Sequence, residues 1–156
     1  MSTTRLQLAL NVDDVEVATA FYSKLFGVEP AKTKPGYANF AVAKPPLKLI
    51  LIENPGQGGS VNHLGVEVPD TDTVDAEQTR LAAAGFASID ERDTTCCYAK
   101  QDKFWVEGTP DGERWEIYTV LEDSETFGVG DSSQVGCCGD DATGERELQP
   151  TATACC

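Results

Sequence analysis

The chain has 156 residues, of which 40% are hydrophobic and 24% charged, with a formal net charge of -14. That length buries one good core, arranged as one compact domain or two small fused modules. The charge disfavours nucleic acid and anionic membranes as partners, no apolar run reaches the ~18 residues of a membrane span, and no signal peptide is visible at the polar-interrupted N-terminus, so a cytoplasmic setting is expected.

In chain order, Leu6 to Val12 alternates as a strand, with Leu6, Leu8, Leu10 and Val12 on one face. Asp13 or Asp14 caps a helix in which Val15, Ala18, Phe21, Tyr22, Leu25 and Phe26 form the apolar side, and Gly27 ends it. Extended pieces follow near 28–33, 37–43 and 47–53, punctuated by Pro35-Gly36 and Pro45-Pro46. Asn62 to Val68 repeats the first strand. Asp70 and Asp72 sit where a second cap belongs, Val74, Leu81 and Ala84 make its apolar face, and Gly85 stops it. Extended pieces near 86–91, 94–107 and 114–120 complete the second half, with Pro110-Asp111-Gly112 as a turn.

Each half reads as βαβββ, at about 5–54 and 61–120. Gln7 aligns with His63, Gly27 with Gly85, and Leu49-Ile50-Leu51 with Trp115-Glu116-Ile117. Such duplication predicts an α+β fold of two tandem βαβββ modules related by a pseudo-twofold axis, forming a cup-shaped open barrel. Residues 1–121 form the expected folded domain. Beyond it the composition changes. Residues 1–120 carry 18 acidic and 11 basic side chains, net -7, whereas residues 121–156 carry 8 and 1, also net -7. The segment 122–156 is therefore expected to be an acidic, cysteine-containing flexible tail.

The six cysteines fall in adjacent pairs: Cys96-Cys97, Cys137-Cys138 and Cys155-Cys156. Neighbouring cysteines make poor structural staples, and the absence of an export signal favours a reduced setting. Soft thiolates suit trivalent arsenic or cadmium. In a regular strand, adjacent side chains diverge, so two thiols grip one atom only if Cys96-Cys97 lies in a loop. The polar run Ala99-Lys100-Gln101-Asp102-Lys103 suits a mobile loop there, with Lys100 and Lys103 favouring thiolates. The alternative is a strand with one cysteine inward and one outward.

His63 is the single histidine, and Gln7, its counterpart in the repeat, also has a coordinating side chain. Glu116 is a carboxylate inside an apolar strand, where it needs a compensating partner. The repeat turns all three toward the cup, as a metal site. The structural alternatives are a satisfied core histidine, a hydrogen-bonded core amide, and a Glu116 salt bridge to Arg114 or Lys103.

The segments NHLGVEV (62–68) and GTPDGERWEIYTV (108–120) resemble the vicinal oxygen chelate superfamily, which includes glyoxalase I and extradiol dioxygenases. The resemblance spans roughly residues 5–120 and implies Gln7, His63 and Glu116 as metal ligands. The position of a further carboxylate in glyoxalase-type members is held by Ile50, while Glu53 is out of register by three and faces elsewhere. Open metal positions suit oxygen-activating non-haem Fe(II). TTCCYAKQDKFWV (94–106), KPGYANFA (34–41) and PPLKLILIENPG (45–56) resemble the carbon–arsenic lyase and cadmium-induced branch of this superfamily. That resemblance implies an Fe(II)-dependent dioxygenase that cleaves the carbon–arsenic bond of a small-molecule trivalent organoarsenical, methylarsenite or a reduced aromatic arsenical, with dioxygen as co-substrate. Cys96 and Cys97 are the implied substrate-binding thiols, and Cys137, Cys138, Cys155 and Cys156 resemble the thiol-rich C-termini of the branch. Two other functions compete: sequestration of cadmium or arsenite without chemistry, and a glyoxalase-type thiol-dependent activity.

Overall fold

The computed structural model describes residues 4–125. The expected tail, with its four cysteines, lies outside the described residues except for its first few positions. Strand β1 spans Arg5–Val12, followed by helix α1, Val15–Phe26, and strands β2, Lys32–Lys34, β3, Tyr37–Val42, and β4, Leu47–Glu53. The second half repeats this order with β5, Val61–Glu67, α2, Thr71–Ala83, β6, Ser88–Cys96, β7, Ala99–Val106, and β8, Trp115–Asp123. The expected piece at 28–33 contracts to the short edge strand β2.

The helix boundaries have local causes. Asp14 accepts hydrogen bonds from the Glu16 and Val17 amides at 2.9 Å, satisfying donors that the first turn leaves open. Gly27 ends α1 in the left-handed region at φ 66°, which glycine adopts without a Cβ penalty. Asp70 caps α2 by accepting from the Thr73 amide at 2.8 Å. The packed side of α1 is narrower than its sequence suggests. Val15, Ala18, Tyr22 and Phe26 pack against the sheet, whereas Phe21 and Leu25 are exposed. At 3.6 residues per turn, Phe21 lies roughly 100° round the helix from the centre of that stripe. In α2, Val74 is fully buried and Leu81 packs beside it, but Ala84 is the exposed C-cap rather than part of the apolar face.

All eight strands join one sheet in the order β2-β3-β4-β1-β5-β8-β7-β6. The halves meet where β1 pairs antiparallel with β5, placing Gln7 opposite Gly65 and Ala9 opposite His63. These two pairs exchange under the repeat offset of 56, so the junction itself carries the pseudo-twofold axis. Likewise Ala9 beside Ile50 in the β1–β4 ladder repeats as Gly65 beside Glu116 in the β5–β8 ladder.

The helices cover the outside of the curved sheet. Phe40, Leu49 and Leu51 pack under α1, and Phe104, Ile117 and Val68 under α2. Alternation along each strand then sends the intervening residues into the cup. On β1 these are Gln7, Ala9 and Asn11, all more deeply buried than Leu6, which is 46% exposed. No helix among the described residues is long and apolar enough to cross a membrane.

Candidate metal and thiol site

Gln7, His63 and Glu116 come from the neighbouring central strands β1, β5 and β8 and converge inside the cup. Each is at most 2% exposed. Gln7 Nε2 lies 3.0 Å from His63 Nε2 and donates to Glu116 Oε1 at 2.7 Å, while His63 Nε2 and Glu116 Oε1 are 3.4 Å apart. Gly65, between Gln7 and Glu116 in the ladder, makes this approach possible. A Cβ there would meet Glu116 Cγ at 3.0 Å and Gln7 Nε2 at 3.1 Å.

The hydrogen bonds fix what the histidine presents. Asn62 Oδ1 lies 2.8 Å from His63 Nδ1 and can only accept, so Nδ1 carries the proton. Nε2 is then a lone pair facing the cluster, where the Gln7 amide donates to it. A hydrogen-bonded second nitrogen is what orients a metal-ligating imidazole.

Glu116 stays ionised despite burial. Burial alone would push its carboxyl up, but the Lys103 ammonium holds it well below the usual carboxylate range. Lys103 is fully buried, with Nζ 3.1 Å from Glu116 Oε2 and 3.5 Å from Glu91 Oε2. Burial would lower its pKa, and the two carboxylates reverse that and keep it charged. Of the two partners expected for Glu116, Lys103 is the one in place. Arg114 instead stacks over Trp105, 4.2 Å from the ring centroid.

This donor set fits a divalent ion. An imidazole lone pair and an ionised carboxylate already face one point, and the Gln7 amide, turned over, adds its oxygen. Among the described residues no group of three or more His, Cys, Asp or Glu gathers in this way, so the third donor here is the neutral amide. Ile50 lines the same cavity where a further carboxylate would stand. Glu53 is exposed and accepts from the Val15 amide at 2.9 Å, outside the cup.

The cysteine segment departs from expectation. Ala99 to Lys103 is not a loop but the start of β7, paired to both β6 and β8. Its polar residues alternate, and the inward ones, Gln101 and Lys103, are buried. The loop is a tight hairpin turn instead. Cys96 pairs with Ala99, and Cys97 and Tyr98 form the turn at φ 52° and 60°. Positive φ at both central residues is the primed hairpin geometry, which frees the two side chains from strand alternation. The sulfurs consequently lie 3.5 Å apart, and both residues are buried. Cys96 is disulfide-bonded, and at 3.5 Å the Cys97 sulfur is not its partner. Lys100 is held at the surface by Asp93 at 2.8 Å and Glu122 at 3.4 Å.

The hairpin tip reaches across to the first half. The Tyr98 ring packs edge-to-face on Tyr37 at 5.0 Å, and Lys32 Nζ donates to the Tyr98 carbonyl at 3.0 Å. Tyr37 also lines a cavity of about 260 Å³, with Gln7, Glu116, Cys97 and Ile50 among its other lining residues. Two of the metal-ligand candidates, Gln7 and Glu116, and one of the paired cysteines, Cys97, thus share one chamber. Asn62, Gly65 and the Lys48–Glu67 pair were not legible as site residues. Only the repeat offered a signal, since Gly65 aligns with Ala9.

The family model described as Glyoxalase/Bleomycin resistance protein/Dioxygenase superfamily matches residues 5–117. The chain is 67% identical over 127 residues to the cadmium-induced protein CadI of Mycobacterium tuberculosis, covering 81% of this chain and 83% of that one. It is 54% identical over 136 residues to the trivalent organoarsenical cleaving enzyme of Thermomonospora curvata, covering 86% and 88%. An extradiol ring-cleaving dioxygenase from Brevibacterium fuscum shares the fold at a TM-score of 0.55 and 18% identity, over 78% of this chain and 34% of that chain. With the duplicated half-sheets, the cup and the matched residues together, the chain belongs to the glyoxalase/bleomycin resistance/dioxygenase superfamily.

Proposed function

We propose that this protein cleaves the carbon–arsenic bond of trivalent organoarsenicals and releases arsenite, with Gln7, His63 and Glu116 holding Fe(II) and dioxygen as co-substrate, in a reducing cytoplasmic setting. The observation that carries this reading is the shared cavity, lined by Gln7, Glu116 and Cys97, with the Cys96 sulfur 3.5 Å from that of Cys97. The organoarsenical-cleaving relative supports it by similarity.

With Cys96 reduced, the two thiols displace two hydroxyls from arsenic as water and hold it by two sulfur bonds. The organic group is then directed into the cup. Ferrous iron, when bound, supplies the redox chemistry on dioxygen that zinc does not. For a methyl group, one dioxygen balances formaldehyde plus arsenite. Lys103 keeps Glu116 anionic and aimed, and Asn62 keeps the His63 lone pair inward.

The test is arsenic speciation after methylarsenite is mixed with reduced, anaerobically iron-loaded protein, with and without oxygen. Arsenite is expected only with both, and His63→Ala is expected to lose turnover and iron together. Cys96→Ser and Cys97→Ser are expected to lose activity at low substrate, and normal turnover there would remove the thiols from the scheme. A second reading, sequestration of cadmium or arsenite, draws support from the cadmium-induced relative. Methylarsenite bound but unaltered, with iron and oxygen present, would favour it.

A further inference from the structure

The cavity has a polar wall that neither the thiols nor the three ligand candidates use. Lys48 on β4 stands beside Gln7 in the ladder, with a side chain 8% exposed. Its ammonium lies 3.4 Å from Glu67 Oε2 and 5.0 Å from the centroid of the Tyr118 ring. Glu67 is already occupied. Arg5 donates to both of its oxygens, at 3.0 and 3.3 Å, and the Tyr118 hydroxyl donates at 3.1 Å. One carboxylate therefore faces two cations.

The other acids on this cavity have their own cations. Glu116 is matched by Lys103, and Asp123 by Lys32. Lys103 is itself shared between Glu116 and Glu91, whereas the Lys48 wall sets two cations, Lys48 and Arg5, against the single carboxylate of Glu67. Gln101, on β7, also lines the cavity. It is 3% exposed, and its buried Oε1 has no hydrogen-bond partner. Buried polar groups are normally satisfied, so an orphan that borders a cavity points to a missing ligand. Since no hydrogen bond among the described residues fixes this amide, either its oxygen or its NH2 can face the ligand. A volume of about 260 Å³ suits a single ring rather than an extended chain.

Building on the proposed function, we infer that the chamber selects organoarsenicals whose organic group carries an anionic substituent, a carboxylate-bearing aryl group above all, bound by Lys48 and Gln101 while arsenic is held at the Cys96-Cys97 turn. Methylarsenite is then a minimal substrate that leaves this wall unmet.

The test compares phenylarsonous acid with its 3- and 4-carboxy derivatives. Calorimetry on the reduced, full-length protein reads affinity, and arsenite release from the iron-loaded protein with oxygen reads turnover. At least one carboxylate isomer is expected to bind and react at least ten-fold better than the parent. Lys48→Met should collapse that ratio to near one, and Lys48→Arg should keep most of it. Glu67 retains Arg5 and Tyr118 in both variants, so folding is expected to survive. Equal affinity and turnover for all three arsenicals in the wild type would overturn the inference and leave the lyase reading standing. A preference unchanged in Lys48→Met would overturn it equally. Selective binding without arsenite release would sustain the subsite and overturn the lyase reading. Binding of none of them would overturn both.

Discussion

Single atoms decide whether the candidate metal site can exist. Gly65 has no side chain between Glu116 and Gln7, and a Cβ there would come within 3.0 Å of Glu116 Cγ. Gly65→Ala is expected to weaken divalent-metal binding at least ten-fold by calorimetry, while far-UV circular dichroism stays near wild type. Glu67 governs the charged wall. Burial alone would raise its carboxyl, but Lys48 and Arg5 hold it below the ordinary 4.5. A depressed folded-state pKa means that the unfolded chain binds the proton more readily. The stabilisation is therefore full above the unfolded value and is lost as pH falls through the folded one. Glu67→Gln is expected to cost about 3 kcal/mol at neutral pH, because it leaves Lys48 buried without its counter-charge. That difference, read from denaturant melts, should shrink progressively below pH 4.5.

At the scale of elements, turns and caps set the positions of side chains that packing alone would leave loose. The Cys97-Tyr98 turn brings two adjacent sulfurs to one side, which a continued strand would forbid. The cap on α1 acts more locally. Asp14→Ala removes the acceptor for two amides and is expected to cost about 1 kcal/mol in a urea melt. Since α1 packs on the outside of the sheet, away from the cup, the same variant should bind metal as the wild type does. The polar run at 99–103 illustrates a limit of local reading. Lys103 and Gln101 look like loop residues in the sequence, yet β7 is an interior strand whose inner face is a polar chamber. Polarity there marks a site, not exposure.

At the scale of the whole molecule, the two halves share one sheet and one chamber. The β1–β5 ladder joins them, and the second half's hairpin tip packs on Tyr37 of the first. Unfolding is expected to be a single transition. Fluorescence, which reports on Trp105 and Trp115 in the second half, should coincide with circular dichroism from both. Separated curves would show halves that melt independently. By itself the sequence determined the repeated βαβββ order, the capped helices and the alignment of Gln7 with His63. Those features rest on periodicity and local stereochemistry, which neighbouring residues encode. It also marked Glu116 as needing a cation, because a carboxylate in an apolar strand needs one anywhere. Only the tertiary structure decided that the cation is Lys103 rather than Arg114, that Asn62 sets the His63 tautomer, and that Gly65 makes room. It alone placed Cys97, Lys48 and Gln101 on one chamber with Gln7 and Glu116. These are contacts between distant strands, and they follow from the register and curvature of the sheet, which no stretch of sequence specifies on its own.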